Sequence, residues 1–437
     1  MAVEARIKCP ILLTALTSPG EWRRRDGRMD LSVINLFDEF SHPSVPRFTC
    51  PVDFSKIDSV LRELNKDVNA IDNVRLRQFG KLLWNLLIPP EIRGHLATLE
   101  RSYAIQLLFM TNDLQIPWEI IHDDFDFWAL KYTMGRIYGS DEGHVRFQQW
   151  RKKRVQYPPL LLIYDPAQNL DGAKREGGAL RRALKDKFSI TPLTGRQTAY
   201  DLALEIGSDK FDIIHFAGHA QMGKKGGLLA ADRELSSREI AQYSLARHPI
   251  VFANACATGV AGGYYGARSL SIAEAFIKAG ASAFIGTLWK TDDDISARFA
   301  SCVYFYLKSG CTIGDALLRA RKELWENPKR EDIDWAAFAL FGSPDSRLYG
   351  PLPREGIVTQ RVQVTMSNAP GTLARVLQGL SKCRVNIVQG RSITFDNEKT
   401  AGYVAEIEVP SGVSDVELLK AVKGRVKGLV YHLEYIN

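Results

Sequence analysis

Apolar positions in the middle of the chain fall into two patterns. Short continuous runs, four to seven residues long, alternate with longer stretches in which apolar residues recur at helical spacing. The runs occupy residues 105–110, 160–164, 211–217, 250–253 and 283–289, and a further strand is predicted at 189–193. The helical stretches lie at 61–87, 173–187, 198–206, 269–279, 295–307 and 313–325. Continuous runs of this length are typical of strands buried on both faces of a parallel sheet. The alternation therefore predicts an α/β fold with right-handed crossovers and a doubly wound sheet.

A second pattern begins after a stretch rich in Pro and Gly. Pro344, Pro351, Pro353 and Gly356 mark a break, and residues 351–360 are predicted to be a linker. Residues 361–366 then alternate as a half-buried strand does. The elements that follow are a helix after Gly371, strands at 385–395 and 402–409, a helix at 414–422 and a strand at 429–435. This β-α-β-β-α-β order predicts a small ferredoxin-like domain over residues 361–437.

The remaining boundaries come from local composition. A chain of 437 residues is expected to form two or three domains. Residues 1–50 are rich in Pro, Arg and polar residues and give the weakest pattern. A basic run at 151–154 is followed by Pro158 and Pro159, which end any helix there. We therefore divide the chain into 1–157, 158–350, the linker 351–360 and 361–437.

Charge and cysteine usage exclude several classes of protein. The net charge is +7, but basic and acidic residues are interspersed, so nucleic-acid binding is not favoured. The six cysteines show neither CxxC pairs nor spacing with paired histidines, so no disulfide framework, metal site or cofactor is predicted. The apolar stretch at 11–16 is too short for a signal peptide, and no segment approaches the ~18 to 20 apolar residues of a membrane span. Glycine-rich loops near 218–227 and 262–263 lack the phosphate-binding spacing. We expect a cytoplasmic protein without membrane association.

Two of the apolar runs end in turns that carry reactive side chains. His219 follows Gly218 after one run, and Cys256 follows the next. The carboxyl ends of neighbouring parallel strands meet at one edge of a sheet, so both side chains are expected there. A nearby imidazole favours the thiolate, which is the nucleophile, and the pattern predicts a Cys/His hydrolase. His215 lies inside its run and is interpreted as a core residue, although an exchange of roles with His219 stays open, as does a packing role for Cys256.

These segments resemble a known family. The HxxGH pattern formed by residues 215–219, the Cys-Ala-Thr-Gly sequence at 256–259, and the segments at 116–120 and 335–342 are similar to those of CHAT domains, caspase-like cysteine proteases related to separase. The resemblance implies a catalytically silent half-sheet in 1–157 and a catalytic half in 158–350. It implies that Cys256 is the nucleophile and His219 the general acid. The backbone N–H groups of Cys256 and of Gly218 or Ala220 are the candidates for an oxyanion hole.

Asp292, Asp293 and Asp294 follow the run at 283–289, after Lys290 and Thr291. They resemble the place where separase-like enzymes carry the acidic residue that binds Arg or Lys before the scissile bond. Carboxylates bind guanidinium groups through paired hydrogen bonds, and Asp293 is the favoured candidate, with Asp232 a weaker one. The alternative is that these residues cap the following helix.

The C-terminal segment resembles the ACT domain. The resemblance rests on Asn368, Pro370, Gly371, Leu373, Asn386 and Ile387. It implies a small-molecule effector site at Asn368, Gly371 and Asn386, with homo-oligomers formed through this domain. The alternative is an interaction module without a ligand.

Together these resemblances imply a regulated cysteine endopeptidase that cleaves a protein substrate after a basic residue. For bacterial CHAT proteases the implied role is antiphage defence, for example by activating a gasdermin-like partner. The alternative from another class is a non-catalytic sensor or scaffold in which the sheet and the ACT-like domain bind partners.

Overall fold

The chain forms two compact units, Met1–Gly350 and Pro351–Asn437, and each is described by itself. The structure is a computed structural model. It describes residues 8–17, 27–35, 45–66, 71–101, 103–111, 116–138, 157–221, 226–255, 271–326, 333–348, 357–367, 372–383, 385–394, 400–410, 413–425 and 430–435.

Among the described residues, the first part of the first unit combines five strands with four helices. In chain order these are β1 (Lys8–Thr17), β2 (Gly27–Asn35), β3 (Val45–Val52), α1 (Phe54–Lys66), α2 (Asn73–Leu87), α3 (Pro90–Glu100), β4 (Ala104–Thr111), a short 3-10 helix (Trp118–Ile120), α4 (Trp128–Lys131) and β5 (Thr133–Tyr138).

The second part alternates strands and helices. It contains β6 (Pro159–Tyr164), α5 (Asp171–Leu184), β7 (Ser189–Thr194), α6 (Ala199–Ile206), β8 (Ile213–Ala217), β9 (Ala220–Gln221), β10 (Gly227–Leu229), β11 (Glu234–Ser236), α7 (Ser237–Ile240), β12 (Ile250–Asn254), α8 (Ile272–Lys278), β13 (Ala283–Thr287), α9 (Asp293–Lys308), α10 (Ile313–Trp325) and β14 (Phe338–Gly342).

One large sheet carries both parts. Its strand order is β3-β2-β1-β4-β5-β14-β13-β12-β8-β6-β7, and most neighbours are parallel. The antiparallel pairs are β1 with β2, β2 with β3, and β13 with β14. The predicted α/β class with a large parallel sheet is therefore confirmed. The last strand of the unit, β14, lies at its centre and joins the two predicted halves.

Two sequence expectations differ from the structure. The N-terminal segment, which gave the weakest pattern, contains β1, β2 and β3. Every second residue of β1 is buried, as at Cys9, Ile11 and Leu13, but strands this close to Pro- and Arg-rich stretches are easily overlooked. The helical stretch at 61–87 is two helices, α1 and α2, and Asp72 caps the second by accepting the Arg75 N–H at 2.7 Å.

A buried ion pair lies in the first half of the sheet. Glu119, only 1% exposed, accepts hydrogen bonds from Arg136 of β5, with a distance of 3.2 Å from Arg136 Nε to Glu119 Oε1. Arg321 of α10 is also fully buried and donates to the Phe338 carbonyl at 2.6 Å. Burial lowers the pKa of Arg321 to about 10, and the Glu119 carboxylate opposes that shift.

Where the structure describes it, the second unit has four strands and two helices. They are β15 (Ile357–Ser367), α11 (Thr372–Lys382), β16 (Asn386–Thr394), β17 (Thr400–Pro410), α12 (Asp415–Arg425) and β18 (Val430–Tyr435). The strands form an antiparallel sheet in the order β16-β17-β15-β18. The elements follow one another in the predicted β-α-β-β-α-β order. Strand β15 begins inside the segment predicted to be the linker, because its pairing with β17 extends back to Ile357.

Within the ranges given above, none of the helices has the length and apolar character that crossing a bilayer requires.

Candidate active site

The candidate site lies at the carboxyl ends of β8 and β12. These strands are parallel neighbours, with Ile213 opposite Ile250 and Ala217 opposite Asn254. His219 is two residues beyond β8, and the described chain continues past β12 to Ala255. Gly218 and Ala255, the residues that directly follow the two strands, therefore lie at one edge of the sheet. Cys256 itself lies outside the described residues, and its pairing with His219 stays a prediction.

His219 is held in the turn between β8 and the small β9-β10-β11 sheet. Its side chain is half-buried, and its carbonyl accepts the Leu229 N–H at 2.9 Å. A side chain at Gly218 would put its Cβ 3.0 Å from the Phe216 ring and 3.3 Å from Pro166, so glycine allows the close turn before the histidine. The small sheet was not predicted, because each strand is only two or three residues long.

The two candidate oxyanion donors near His219 differ in their backbone bonding. The Gly218 N–H donates to the Asn254 carbonyl at 3.2 Å. Ala220 lies opposite Leu228 in an antiparallel pair, and the bond from Leu229 N–H to His219 O makes this a non-hydrogen-bonded position. The Ala220 N–H consequently points away from β10. Of the two groups, Ala220 has the geometry that better suits a donor for substrate.

His215 is a buried core residue, which confirms the sequence interpretation. Its Nδ1 lies 2.7 Å from the Tyr304 hydroxyl, and its Nε2 lies 3.2 Å from Glu176 Oε1. Its ring also stacks on Phe252 of β12, with ring centroids 5.2 Å apart. Both ring nitrogens are therefore engaged inside the protein.

A chain of polar side chains continues from His215 toward the strand end. Glu176 Oε2 accepts a bond from Asn254 Nδ2 at 2.6 Å, and Asn254 Oδ1 is 3.4 Å from the Thr291 hydroxyl. Neither Glu176 nor Asn254 was predicted from the sequence to be functional. A signal was present, because Glu176 falls on the face of α5 that buries Ala173, Gly177, Leu180 and Leu184. A carboxylate on an apolar helix face calls for a buried partner.

The three consecutive aspartates begin helix α9. Asp292 is its N-cap, and Asp292 Oδ1 accepts the Asp294 and Ile295 N–H groups at 3.0 and 3.1 Å. The Asp292 N–H in turn donates to Asp334 Oδ2 at 2.7 Å. The capping alternative therefore holds for Asp292, whereas Asp293 and Asp294 lie in the first turn.

Asp293 faces the start of α5. A Cβ at Gly172 would lie 1.5 Å from Asp293 Oδ2, so a side chain at this position would force the carboxylate to move. Arg175 Nη2 lies 3.7 Å from Asp293 Oδ2, and Arg175 Nε lies 3.9 Å from Asp294 Oδ1. Partial burial raises the pKa of Asp293, and the Arg175 charge opposes that shift. Asp293 keeps 35% of its side chain exposed and already attracts a guanidinium from its own chain.

Asp232 has a structural contact instead. Its Oδ1 accepts the Ala199 N–H at 2.7 Å, at the start of α6, and this bond lowers the pKa of Asp232. The same helix end is capped by Thr198, whose side chain accepts the Asp201 N–H at 3.2 Å. Asp232 thus satisfies a second N–H that the helix itself leaves unbonded.

Replacing Asp232 with Ala is expected to lower the free energy of unfolding, because the change removes the oxygen that accepts the Ala199 N–H at the start of α6. Urea unfolding followed by circular dichroism measures this. The exposed Asp171→Ala is the control. A stability unchanged from wild type, together with a raised KM for basic peptides, would assign Asp232 to substrate binding instead.

The predicted effector site falls largely outside the described residues. Asn368 and Gly371 both lie outside the described residues. Asn386 is the first residue of β16 and lies opposite Glu408 of β17. The effector site stays a prediction.

The open parallel sheet, with a histidine turn and a cysteine following adjacent strand ends, defines a caspase-like α/β domain. The family model of the CHAT domain matches residues 77–343, more than half of the chain, and the chain belongs to that family. A comparison with curated proteins gave no match.

Solved structures agree on the fold. Two crystal structures of the Saccharomyces cerevisiae separase–securin complex match 76% of this chain at 11% identity, with TM-scores of 0.50 and 0.51. The match covers 30% of the separase chain, so this protein spans under a third of separase's length. For the C-terminal unit, the ACT domain of GTP pyrophosphokinase from Chlorobium tepidum matches 18% of this chain and 99% of its own at 13% identity. Its TM-score of 0.15 carries no conclusion.

Proposed function

We propose that this protein is a cysteine endopeptidase that cleaves a protein substrate after a basic residue. The observation that carries the proposal is the parallel pairing of β8 with β12, which brings the His219 turn and the residue before Cys256 to one sheet edge. Membership of the CHAT family supports the same chemistry.

In the proposed reaction the Cys256 thiolate attacks the scissile carbonyl carbon. The carbonyl oxygen takes the electron pair and is met by the N–H groups of Ala220 and Cys256. His219, having received the thiol proton, gives it to the leaving amine as the C–N bond breaks. Water then hydrolyses the thioester, which releases the acid product and returns the proton to the dyad.

The preference for a basic residue is proposed for Asp293. Its carboxylate is partly desolvated, faces Arg175 and stays about one-third exposed. A guanidinium of the substrate would take the place that Arg175 now approaches at 3.7 Å. Arg175 is itself well exposed, so it can yield this position at little cost.

We expect Asp293→Asn to raise KM for Arg-containing peptides roughly tenfold or more with little change in kcat, because a hydrogen bond to a charged group contributes about 1.5 to 3 kcal/mol. The measurement compares peptides with Arg or with its uncharged analogue citrulline before the cut. Asp294→Asn, at a more exposed carboxylate, is the matched control. Because burial raises the pKa of Asp293, KM for the Arg peptide should increase on acidification at a higher pH than an ordinary Asp would give. An equal increase of KM for the Arg peptide and the citrulline peptide would show that Asp293 does not bind the basic side chain.

Cleavage profiling of a diverse peptide mixture by mass spectrometry tests the proposed function. Cuts that cluster after Arg or Lys support it. Cuts after other residues would support the peptidase activity but contradict the proposed acidic pocket for a basic residue. A mixture left intact, together with an ordinary reactivity of Cys256 toward thiol reagents, would favour the non-catalytic alternative.

The finer biological proposals rest on the resemblances. We propose a cytoplasmic role in bacterial antiphage defence, with a gasdermin-like protein as substrate. The separase structures similar to this chain hold the protein securin, which makes a protein ligand a reasonable choice here. The β-α-β-β-α-β second unit supports the ACT-like proposal, with an effector at Asn368, Gly371 and Asn386 and self-association through this unit.

A further inference from the structure

The carboxylate of Glu176 is enclosed beneath the candidate site. Glu176 is 1% exposed and His215 is fully buried, although Glu is rarely buried without a specific partner. Each Glu176 oxygen has a neighbour: Oε1 lies 3.2 Å from His215 Nε2, and Oε2 lies 2.6 Å from Asn254 Nδ2. Both neighbours therefore donate to the same carboxylate.

The carboxylate of Glu176 fixes the direction of the hydrogen bonds, because an ionised carboxylate only accepts. His215 therefore donates through Nε2 to Glu176 at 3.2 Å. In the imidazole tautomer that carries its proton on Nε2, Nδ1 accepts, and the Tyr304 hydroxyl donates to it at 2.7 Å. Burial raises the pKa of Tyr304 well above its ordinary value, so the hydroxyl keeps the proton that it donates. The network runs from α9 through β8 to α5 and ends on β12.

Asn254, the last residue of β12, is bonded to the His219 turn and to Glu176. Its backbone carbonyl accepts the N–H of Gly218, the residue before His219, at 3.2 Å, and its side-chain amide donates to Glu176. Along the chain it comes two residues before Cys256. The next carbonyl, that of Ala255, accepts the Thr287 hydroxyl at 3.0 Å. The bond to Glu176 consequently anchors the residue that joins the ends of β8 and β12.

We infer that Glu176 is a positioning residue for the active site, which holds Asn254 by a charge-assisted hydrogen bond and through it sets the geometry of the His219 turn and of the strand end that precedes Cys256. The inference rests on the proposed function. Charge-assisted bonds are short and strongly directional, and low dielectric strengthens them further. Displacement of a reacting group by about 1 Å can cost roughly 100-fold in rate, so loss of this bond is expected to act on catalysis.

The main test is Glu176→Gln, which keeps the shape and removes one acceptor. Since His215 and Asn254 both donate, one of them would meet the new NH₂ group. We expect kcat to fall about 100-fold with KM within about twofold. The alkylation of Cys256 by iodoacetamide, quantified on its own peptide by mass spectrometry, is expected to shift its pH profile toward that of a free thiol, near pKa 8.5.

A second substitution tests the bond itself. In E176Q/N254D the new amide donates to the new carboxylate, its oxygen accepts from His215, and the Thr291 hydroxyl still has an acceptor. We expect at least a tenfold recovery of kcat over E176Q. Tyr304→Phe, which deletes only the hydroxyl, is the milder variant should E176Q fail to fold, and its alkylation profile should shift in the same direction.

Glu119→Gln is the matched control, because Glu119 is buried to the same 1% and paired with Arg136 in the other half of the sheet. It should lower the melting temperature but leave kcat and the alkylation profile at wild-type values. The inference is overturned if E176Q behaves like E119Q, if the double variant shows no recovery, or if a folded Tyr304→Phe keeps the wild-type profile. Failure of the proposed function looks different, because wild-type Cys256 would then titrate as a free thiol and be insensitive to His219→Ala.

Discussion

Replacement of Cys256 by Ala is expected to abolish peptide cleavage, with kcat reduced by at least roughly 10³-fold. The nucleophile forms the covalent intermediate, and no other group in the mechanism can replace its sulfur. The variant keeps the rate acceleration that substrate binding and the oxyanion donors provide. In related enzymes this residual acceleration is small compared with the acceleration that is lost. The measurement is kcat/KM on the best peptide found by cleavage profiling.

Cys302→Ala is the matched control for this prediction. Cys302 of α9 donates to Glu323 at 3.0 Å, and burial together with that carboxylate raises the pKa of its thiol to about 12. A thiol of this kind is almost entirely protonated at neutral pH and reacts slowly. Its replacement should leave activity at the wild-type value. Cleavage that survives Cys256→Ala, or disappears with Cys302→Ala, would show that the nucleophile has been misassigned.

The largest effect on stability is expected for Glu119→Ala. The free energy of unfolding should fall by about 3 to 5 kcal/mol, because the change removes the carboxylate that Arg136 binds inside the protein. Arg321 is also destabilised by this change. It is fully buried, and the Glu119 carboxylate favours its charged form. The whole cluster lies next to β14, at the centre of the sheet.

Urea unfolding at neutral pH measures the change. Glu91→Ala, on the exposed side of α3, is the control and should stay within about 0.5 kcal/mol of wild type. A loss below about 1 kcal/mol for Glu119→Ala would mean that the buried arginines find other partners without rearrangement. Activity per folded molecule should be unchanged by this substitution, since the pair lies in the half of the sheet without His219.

Local pattern was enough to predict the α/β class and the course of the second part of the first unit. The runs at 160–164, 250–253 and 283–289 became β6, β12 and β13, and the helical stretches became α5, α6, α9 and α10 within a few residues. Continuous apolar runs and amphipathic periodicity are properties of neighbouring residues, so they can be recognised without knowledge of the fold. The turn after β8 was located the same way, by the end of an apolar run at Gly218.

Apart from the neighbouring strands before His219 and Cys256, the pairing of distant segments could not be predicted. The sequence of β14 does not indicate that this strand lies between β5 and β13. The three N-terminal strands could be assigned only from the structure, in which β1 pairs with β4. The role of Asp232 was also hidden, because the N–H that it accepts is 33 residues away. In each case the partner is chosen by the packed sheet and helices rather than by nearby sequence.

By itself, the sequence determined which residues end the strands and which of them, His219 and Cys256, carry reactive groups. Only the tertiary structure decided what surrounds them. His215 and Asn254 reach Glu176 across 39 and 78 residues of chain, and Asp293 meets Arg175 only because α9 begins against α5. The physical reason is that periodicity reports whether a side chain is buried, whereas a hydrogen bond depends on which groups the folded chain brings within about 3 Å of each other.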